Sequence, residues 1–268
     1  MATRDEAIEI PVDGTRIPGT LVAPATTVPG VLFVQGWGSG QEQYLPRARK
    51  IAALGCLCMT FEPRGVARDH PEHDTITRDD NLRDLLAAYD LLANRPAVDP
   101  SAIGVVGASY GGYLAAILSS LRPVRWLALR APALYKDKDW DSPKRRLDKD
   151  ELAAYRRRPL DPEENRALRA CVAFEGDVLI VESEHDDVVP RPAVANYLAA
   201  FGKAHSLTYR VIDGADHALS EPAWQDAYTS LLVNWATEMV LGAREEGAAS
   251  GVHTRLQPSP HRGPPRPA

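Results

Sequence analysis

Between the apolar run Ile103-Gly104-Val105-Val106 and a helical stretch beginning near Tyr110, the chain reads Gly107-Ala108-Ser109-Tyr110-Gly111-Gly112. Few folds accept a serine between two glycines at the point where a buried strand becomes a helix. The turn is so tight that the serine backbone is strained, and only glycine-sized neighbours let strand and helix approach. In return the hydroxyl is raised above the sheet edge, with the next N–H beside it at a helix N-terminus. The segment therefore predicts a parallel sheet with helices packed on it, and Ser109 as a candidate nucleophile.

The rest of the chain keeps that rhythm. Ile8 to Val12 and Arg16 to Val22 alternate around Gly14 and predict an antiparallel hairpin. Val31-Leu32-Phe33-Val34 is a continuous apolar run, as expected of a strand buried on both faces. Leu57 to Phe61, Ala102 to Val106, Trp126 to Leu129, Val178 to Val181 and Leu207 to Ile212 predict further strands. Helical stretches lie between them, at about Tyr44 to Leu54, Arg78 to Asn94, Pro192 to Phe201 and Pro222 to Leu241. Such alternation predicts a mostly parallel central sheet covered on both faces. Two segments break the rhythm. Tyr135 to Arg169 is dense in lysine, arginine and aspartate and has the length of a small helical cap. From about residue 243 to Ala268 the chain is rich in Pro, Gly and Arg, and disorder is expected there. The expected organisation is one domain over residues 1–242, with the cap at about 135–170, and a tail over 243–268.

Composition narrows the function classes. With 44% hydrophobic and 25% charged residues in 268, the chain reads as globular. A net charge of −5 argues against binding nucleic acid or an anionic membrane surface. Three cysteines form no framework, and MATRDEAIEI lacks the apolar stretch of a secretion signal, so reduced thiols and a cytoplasmic setting are expected. No histidine pair at ligand spacing appears, so no metal is expected, and no phosphate loop pattern implies a nucleotide cofactor.

A serine hydroxyl needs a base within hydrogen-bond reach, and the base needs a third group to orient it. His217, in Gly214-Ala215-Asp216-His217, follows the last strand and is the candidate base. Asp186 and Asp187 follow another strand at its C-terminal end, where reactive groups of parallel sheets gather. An oxyanion needs two backbone donors. The Tyr110 N–H is one, and the loop Gln35-Gly36-Trp37-Gly38-Ser39-Gly40 offers the Trp37 N–H as the other.

The order Ser109, Asp186, His217, the elbow and the loop Asp186-Asp187-Val188-Val189-Pro190 together resemble the α/β-hydrolase superfamily. The likeness is strongest to the branch of dienelactone hydrolases, prolyl-oligopeptidase-type catalytic domains and related acyl esterases. It implies an α/β-hydrolase fold with a small cap insertion, and it selects Asp186 over Asp187, since the family's acid stands three residues before a Val-Pro pair. Phe61-Glu62-Pro63-Arg64-Gly65 resembles the family's Asp-x-Arg-Gly segment, while Gln35 stands where a histidine is usual. The implied reaction is hydrolysis of a small-molecule carboxylic ester through an acyl-enzyme on Ser109, without a cofactor. Amide, peptide or thioester cleavage would use the same groups, and a catalytically silent ligand-binding protein is the alternative from another class. The cap is expected to roof the site, with Trp140 and Tyr135 binding substrate and its charged residues facing solvent. Oligomeric state is left open.

Overall fold

The computed structural model describes residues 3–12, 15–24 and 27–254, with side chains over 27–243. Two strands, β1 (Thr3–Val12) and β2 (Thr15–Pro24), form a separate antiparallel sheet. The expected turn at Gly14 lies outside the described residues. Six strands build the main sheet: β3 (Val28–Val34), β4 (Leu57–Thr60), β5 (Val98–Ala108), β6 (Trp126–Arg130), β7 (Asp177–Ser183) and β8 (Ser206–Ile212). Their order is β4-β3-β5-β6-β7-β8 and every pairing in it is parallel. This is the α/β-hydrolase fold that the sequence implied.

Side chains on a strand alternate between faces, and each face here has its own apolar layer. Leu32, Val34, Ile103, Val105, Leu127 and Ile180 pack with α2 (Arg78–Ala93), α3 (Tyr110–Leu118), α5 (Arg166–Ala173) and α6 (Arg191–Ala200). Val31, Phe33, Val106, Trp126, Ala128 and Leu179 pack on the other face with α1 (Leu45–Ala52) and α7 (Pro222–Thr254). Sheltered on both faces, the central strands can be continuous apolar runs. α3 is buried along all its length, which explains its lack of any polar stripe.

The strand order reverses between β3 and β5. From β3 the chain steps outward through α1 to β4, then crosses back through α2 to β5. At such a reversal neighbouring loops leave in opposite directions and open a crevice at the C-terminal edge. The loop after β3 and the elbow after β5 stand on either side of it.

Two expectations change. The last helix runs on to Thr254, past the expected end near Leu241. Ala243, Glu245, Glu246, Ala248 and Ala249 are strong helix formers that outweigh Gly242 and Gly247. The remainder of the tail, 255–268, lies outside the described residues. The excursion after β6 is built from short 3₁₀ turns at Asp137–Asp139, Lys144–Arg146 and Pro162–Glu164, with α4 (Lys149–Arg156) between the last two. α5, expected largely within the cap, belongs instead to the layer of helices on the sheet. Among the described residues no helix is long and apolar enough to cross a membrane.

α3 and β3 approach each other closely at Gly111. A Cβ on Gly111 would stand 2.2 Å from the Val34 carbonyl oxygen, which backbone cannot readily vacate. Gly111→Ala is therefore expected to cost about 3 kcal/mol. That would lower the melting midpoint by about 6–12 °C in a domain of this size. A midpoint unchanged in thermal unfolding would show that strand and helix can separate there.

Candidate active site

Ser109 joins β5 to α3 with φ 51° and ψ −113°, a backbone state that L-residues rarely adopt. The conformation is held from both sides. Ser109 N–H donates to the Arg130 carbonyl at 2.8 Å, and its own carbonyl accepts from Tyr113 and Ala133. Gly107 is equally constrained, since a Cβ there would lie 2.6 Å from the Gly111 carbonyl oxygen.

His217 follows β8 and brings Nε2 to 2.9 Å from Ser109 Oγ. Its Nδ1 lies 2.6 Å from Asp186 Oδ2. A carboxylate only accepts, so Nδ1 carries the proton and Nε2 of the neutral ring accepts from the serine hydroxyl. The other carboxylate oxygen, Oδ1, accepts from Val188 N–H at 2.9 Å and Val189 N–H at 2.7 Å. The Asp186 side chain is 2% exposed, whereas Asp187 faces solvent. The chain distinguishes the two adjacent aspartates by turning one inward onto the amides of its own loop. Arg130, at the end of β6, donates to the His217 carbonyl at 2.9 Å and fixes the histidine loop against the sheet.

The loop after β3 lies beside the elbow. A Cβ on Gly36 would be 3.7 Å from the Ser109 Cβ. Gly36 N–H donates to the Tyr44 hydroxyl at 2.8 Å, Gly38 N–H to Val66 and Ser39 N–H to Gly36. Among the described residues no acceptor takes the Trp37 N–H. Tyr110 N–H is the first of α3, beyond the reach of that helix's own bonds. Gln35, in place of the usual histidine, ties the loop by donating to the Ser39 carbonyl at 2.8 Å. The ring of Trp37 meets that of Tyr110 edge-on at 5.4 Å.

The Arg64 segment braces the same corner. Asn81 donates to the Arg64 carbonyl at 2.7 Å and accepts from the Tyr110 hydroxyl at 2.8 Å. His73, which reads in the sequence as an ordinary residue of a polar loop, stacks on Trp37 at 4.7 Å.

The excursion after β6 reaches this corner, but not in the expected way. Tyr135 is 2% exposed and packs against Tyr110 and Tyr113. Trp140 is fastened elsewhere. Its Nε1 donates to Asp79 at 3.0 Å and the Arg166 guanidinium lies over its ring at 3.8 Å, so it ties the excursion to α2 and α5. The charged residues do not all face solvent. Arg156 is 6% exposed, and the Lys144 ammonium stands 4.4 Å over the Trp37 ring. Aromatic faces and two carbonyl oxygens receive these cations, which a sequence periodicity cannot register. Among the described residues no group of three or more His, Cys, Asp or Glu is placed to hold a metal ion.

The Tyr44 hydroxyl is a support that the sequence reading does not find. Tyr44→Phe would leave the buried Gly36 N–H without an acceptor. The expected cost is about 1–3 kcal/mol, read by urea unfolding. An unchanged transition would show that the loop is held without this bond.

Comparison with known proteins gives concordant likenesses. A model of the prolyl oligopeptidase family matches residues 51–242. Thiohydrolase aneE of Aspergillus aculeatus is 27% identical over 113 residues, 41% of this chain. The match spans only 35% of that relative's length. Among solved structures, a monoacylglycerol lipase of Paleococcus ferrophilus aligns with TM-score 0.58 at 14% identity, over 89% of this chain and 100% of that one. A dienelactone hydrolase of Anabaena variabilis aligns with TM-score 0.53 at 19% identity, over 87% of this chain and 96% of that one. At these identities the structural likeness speaks for the fold.

Proposed function

The chain belongs to the prolyl oligopeptidase family, within the hydrolases of the α/β-hydrolase superfamily, and we propose that it cleaves carboxylic esters through an acyl-enzyme on Ser109. One observation carries the reading: a continuous hydrogen-bonded line from Ser109 Oγ through both ring nitrogens of His217 to the buried Asp186 carboxylate.

The chemistry follows from those contacts. Ser109 Oγ attacks the ester carbonyl carbon while its proton passes to His217 Nε2. Asp186 stabilises the imidazolium through Nδ1–H and fixes the tautomer. The carbonyl electrons move to oxygen, and the Tyr110 and Trp37 N–H groups are the donors for that oxyanion. Collapse of the tetrahedral adduct expels the alcohol, which takes the proton from Nε2. A water, deprotonated by the same nitrogen, then attacks the acyl carbon, releases the acid and restores Ser109. These steps use only side chains, backbone and water.

Thioester cleavage is the second reading, supported by the likeness to a thiohydrolase. It shares every step and has a thiol as leaving group. Rates on matched p-nitrophenyl ester, thioester and anilide substrates separate the two from an amidase.

Ser109→Ala is expected to lower kcat by about 10⁴-fold or more with the fold retained, and to abolish labelling by a fluorophosphonate probe. Near wild-type turnover, or no labelling of the wild type, would remove Ser109 from the mechanism and favour a silent binding protein. Asp186→Asn is expected to lower kcat by about 10³–10⁴-fold. Asp187→Asn, at an exposed position, is expected to change it little. The reverse ranking would place the acid one residue later.

A further inference from the structure

Among the described residues, the non-glycine residues with positive φ are Ser109 at 51°, Ala131 at 41° and Leu219 at 53°. They are far apart in sequence, yet they belong to the segments that meet at the Ser109–His217 contact: the elbow, the end of β6 and the histidine loop. Strain of this kind persists only where the surroundings over-determine it. Arg130 touches all three segments.

Arg130 is the last residue of β6. Its carbonyl accepts the Ser109 N–H at 2.8 Å. The kink at Ala131 then turns the chain, so that Ala133 N–H reaches back to the Ser109 carbonyl at 3.0 Å. Ala131 N–H is itself anchored to the Val181 carbonyl of β7 at 2.8 Å. The stretch from Arg130 to Ala133 therefore grips the nucleophile by both of its backbone polar groups and is bonded into the sheet.

The Arg130 side chain runs the other way, to the base. Nη1 donates to the His217 carbonyl at 2.9 Å, and the guanidinium stands 5.9 Å from the centre of the Tyr228 ring. The residue is 8% exposed. A guanidinium stays charged when buried, and burying it is costly unless polar groups receive it. Here a carbonyl and an aromatic face receive it, and the carbonyl is that of the candidate base. The rest of the histidine loop is held at other residues: Ala215 accepts from His185 N–H at 2.9 Å, Leu219 from Gln225 at 3.0 Å, and Asp216 from Ser220. Among the described residues, the Arg130 bond is the one made to the backbone of His217 itself. Its loss would free the loop between Ala215 and Leu219, and with it the 2.9 Å approach of Nε2 to Ser109 Oγ.

We propose that Arg130 is a positioning residue for the serine chemistry: from the segment that clamps Ser109, its side chain holds the His217 backbone and so sets the reach of Nε2 to Oγ. The proposal rests on the serine hydrolase reading. Arg130 does not touch the reacting atoms and acts through His217. A displacement of about 1 Å between base and nucleophile is enough to lower a rate about 100-fold.

The test uses a small neutral ester, 4-nitrophenyl acetate. Arg130→Met keeps the length and loses the donors. It is expected to lower kcat by about 10–100-fold with KM within about twofold, because the change falls on chemistry and not on binding. Arg130→Lys, which restores a donor and the charge, should recover most of kcat. Labelling by a fluorophosphonate should slow in the same proportion as kcat. Where Arg130→Met does not fold, Arg130→Gln, whose amide ends short of the His217 carbonyl, takes its place and should show the same loss. Action through His217 is read from a double-mutant cycle: in a His217→Ala background, Arg130→Met should leave the residual rate unchanged. A merely structural role would lower the rate in both backgrounds and overturn the proposal. So would a wild-type kcat in Arg130→Met, or a loss that Arg130→Lys does not restore. These outcomes leave ester hydrolysis in place, whereas a wild type that neither cleaves the ester nor takes the fluorophosphonate overturns the serine hydrolase reading and the proposal with it.

Discussion

At Gly111 the backbone of α3 runs so close to β3 that no side chain fits between them, and most of the site depends on this approach. It brings the first N–H groups of α3 alongside the loop that leaves β3. It forces the residue between β5 and α3 into a positive φ, and it makes Gly107 and Gly111 matter to one another. The strain at Ser109 is offset by bonds from three directions: to Arg130, from Tyr113 and from Ala133. Strain of about 1–3 kcal/mol persists in a native state only where packing over-determines it. The fully buried α3 and the parallel strands on either side of β5 supply that packing. A hydroxyl projected from such a rigid corner needs little further ordering before it meets a base.

The sequence made the frame legible because burial leaves a simple trace. Strands sheltered on both faces, such as Val31 to Val34 and Val178 to Val181, read as unbroken apolar runs. The elbow was legible for a related reason, since two glycines and a serine between strand and helix have few other uses. Asp186 is preferred to Asp187 by the resemblance to the hydrolase family, whose acid stands three residues before a Val-Pro pair. The physical ground is the loop's own geometry, in which Val188 and Val189 N–H groups both reach one carboxylate oxygen. Supports formed across long sequence separations left no local trace. Arg130 beneath His217 and His73 on Trp37 each join segments that nothing in their neighbourhoods connects, and the bond of Tyr44 to Gly36, eight residues away, follows no periodic pattern. The final helix runs beyond its expected end near Leu241: Gly242 and Gly247 resemble terminators, whereas alanine and glutamate around them favour continuation.

The charged excursion shows most clearly where periodicity fails. A stretch rich in Lys, Arg and Asp ordinarily has all its charges in water, since burying one is costly. Lys144 and Arg156 turn inward because aromatic faces and carbonyl oxygens await them, contributed by residues far along the chain. Trp140, the most conspicuous apolar residue of the segment, is consumed in holding it to Asp79 and Arg166.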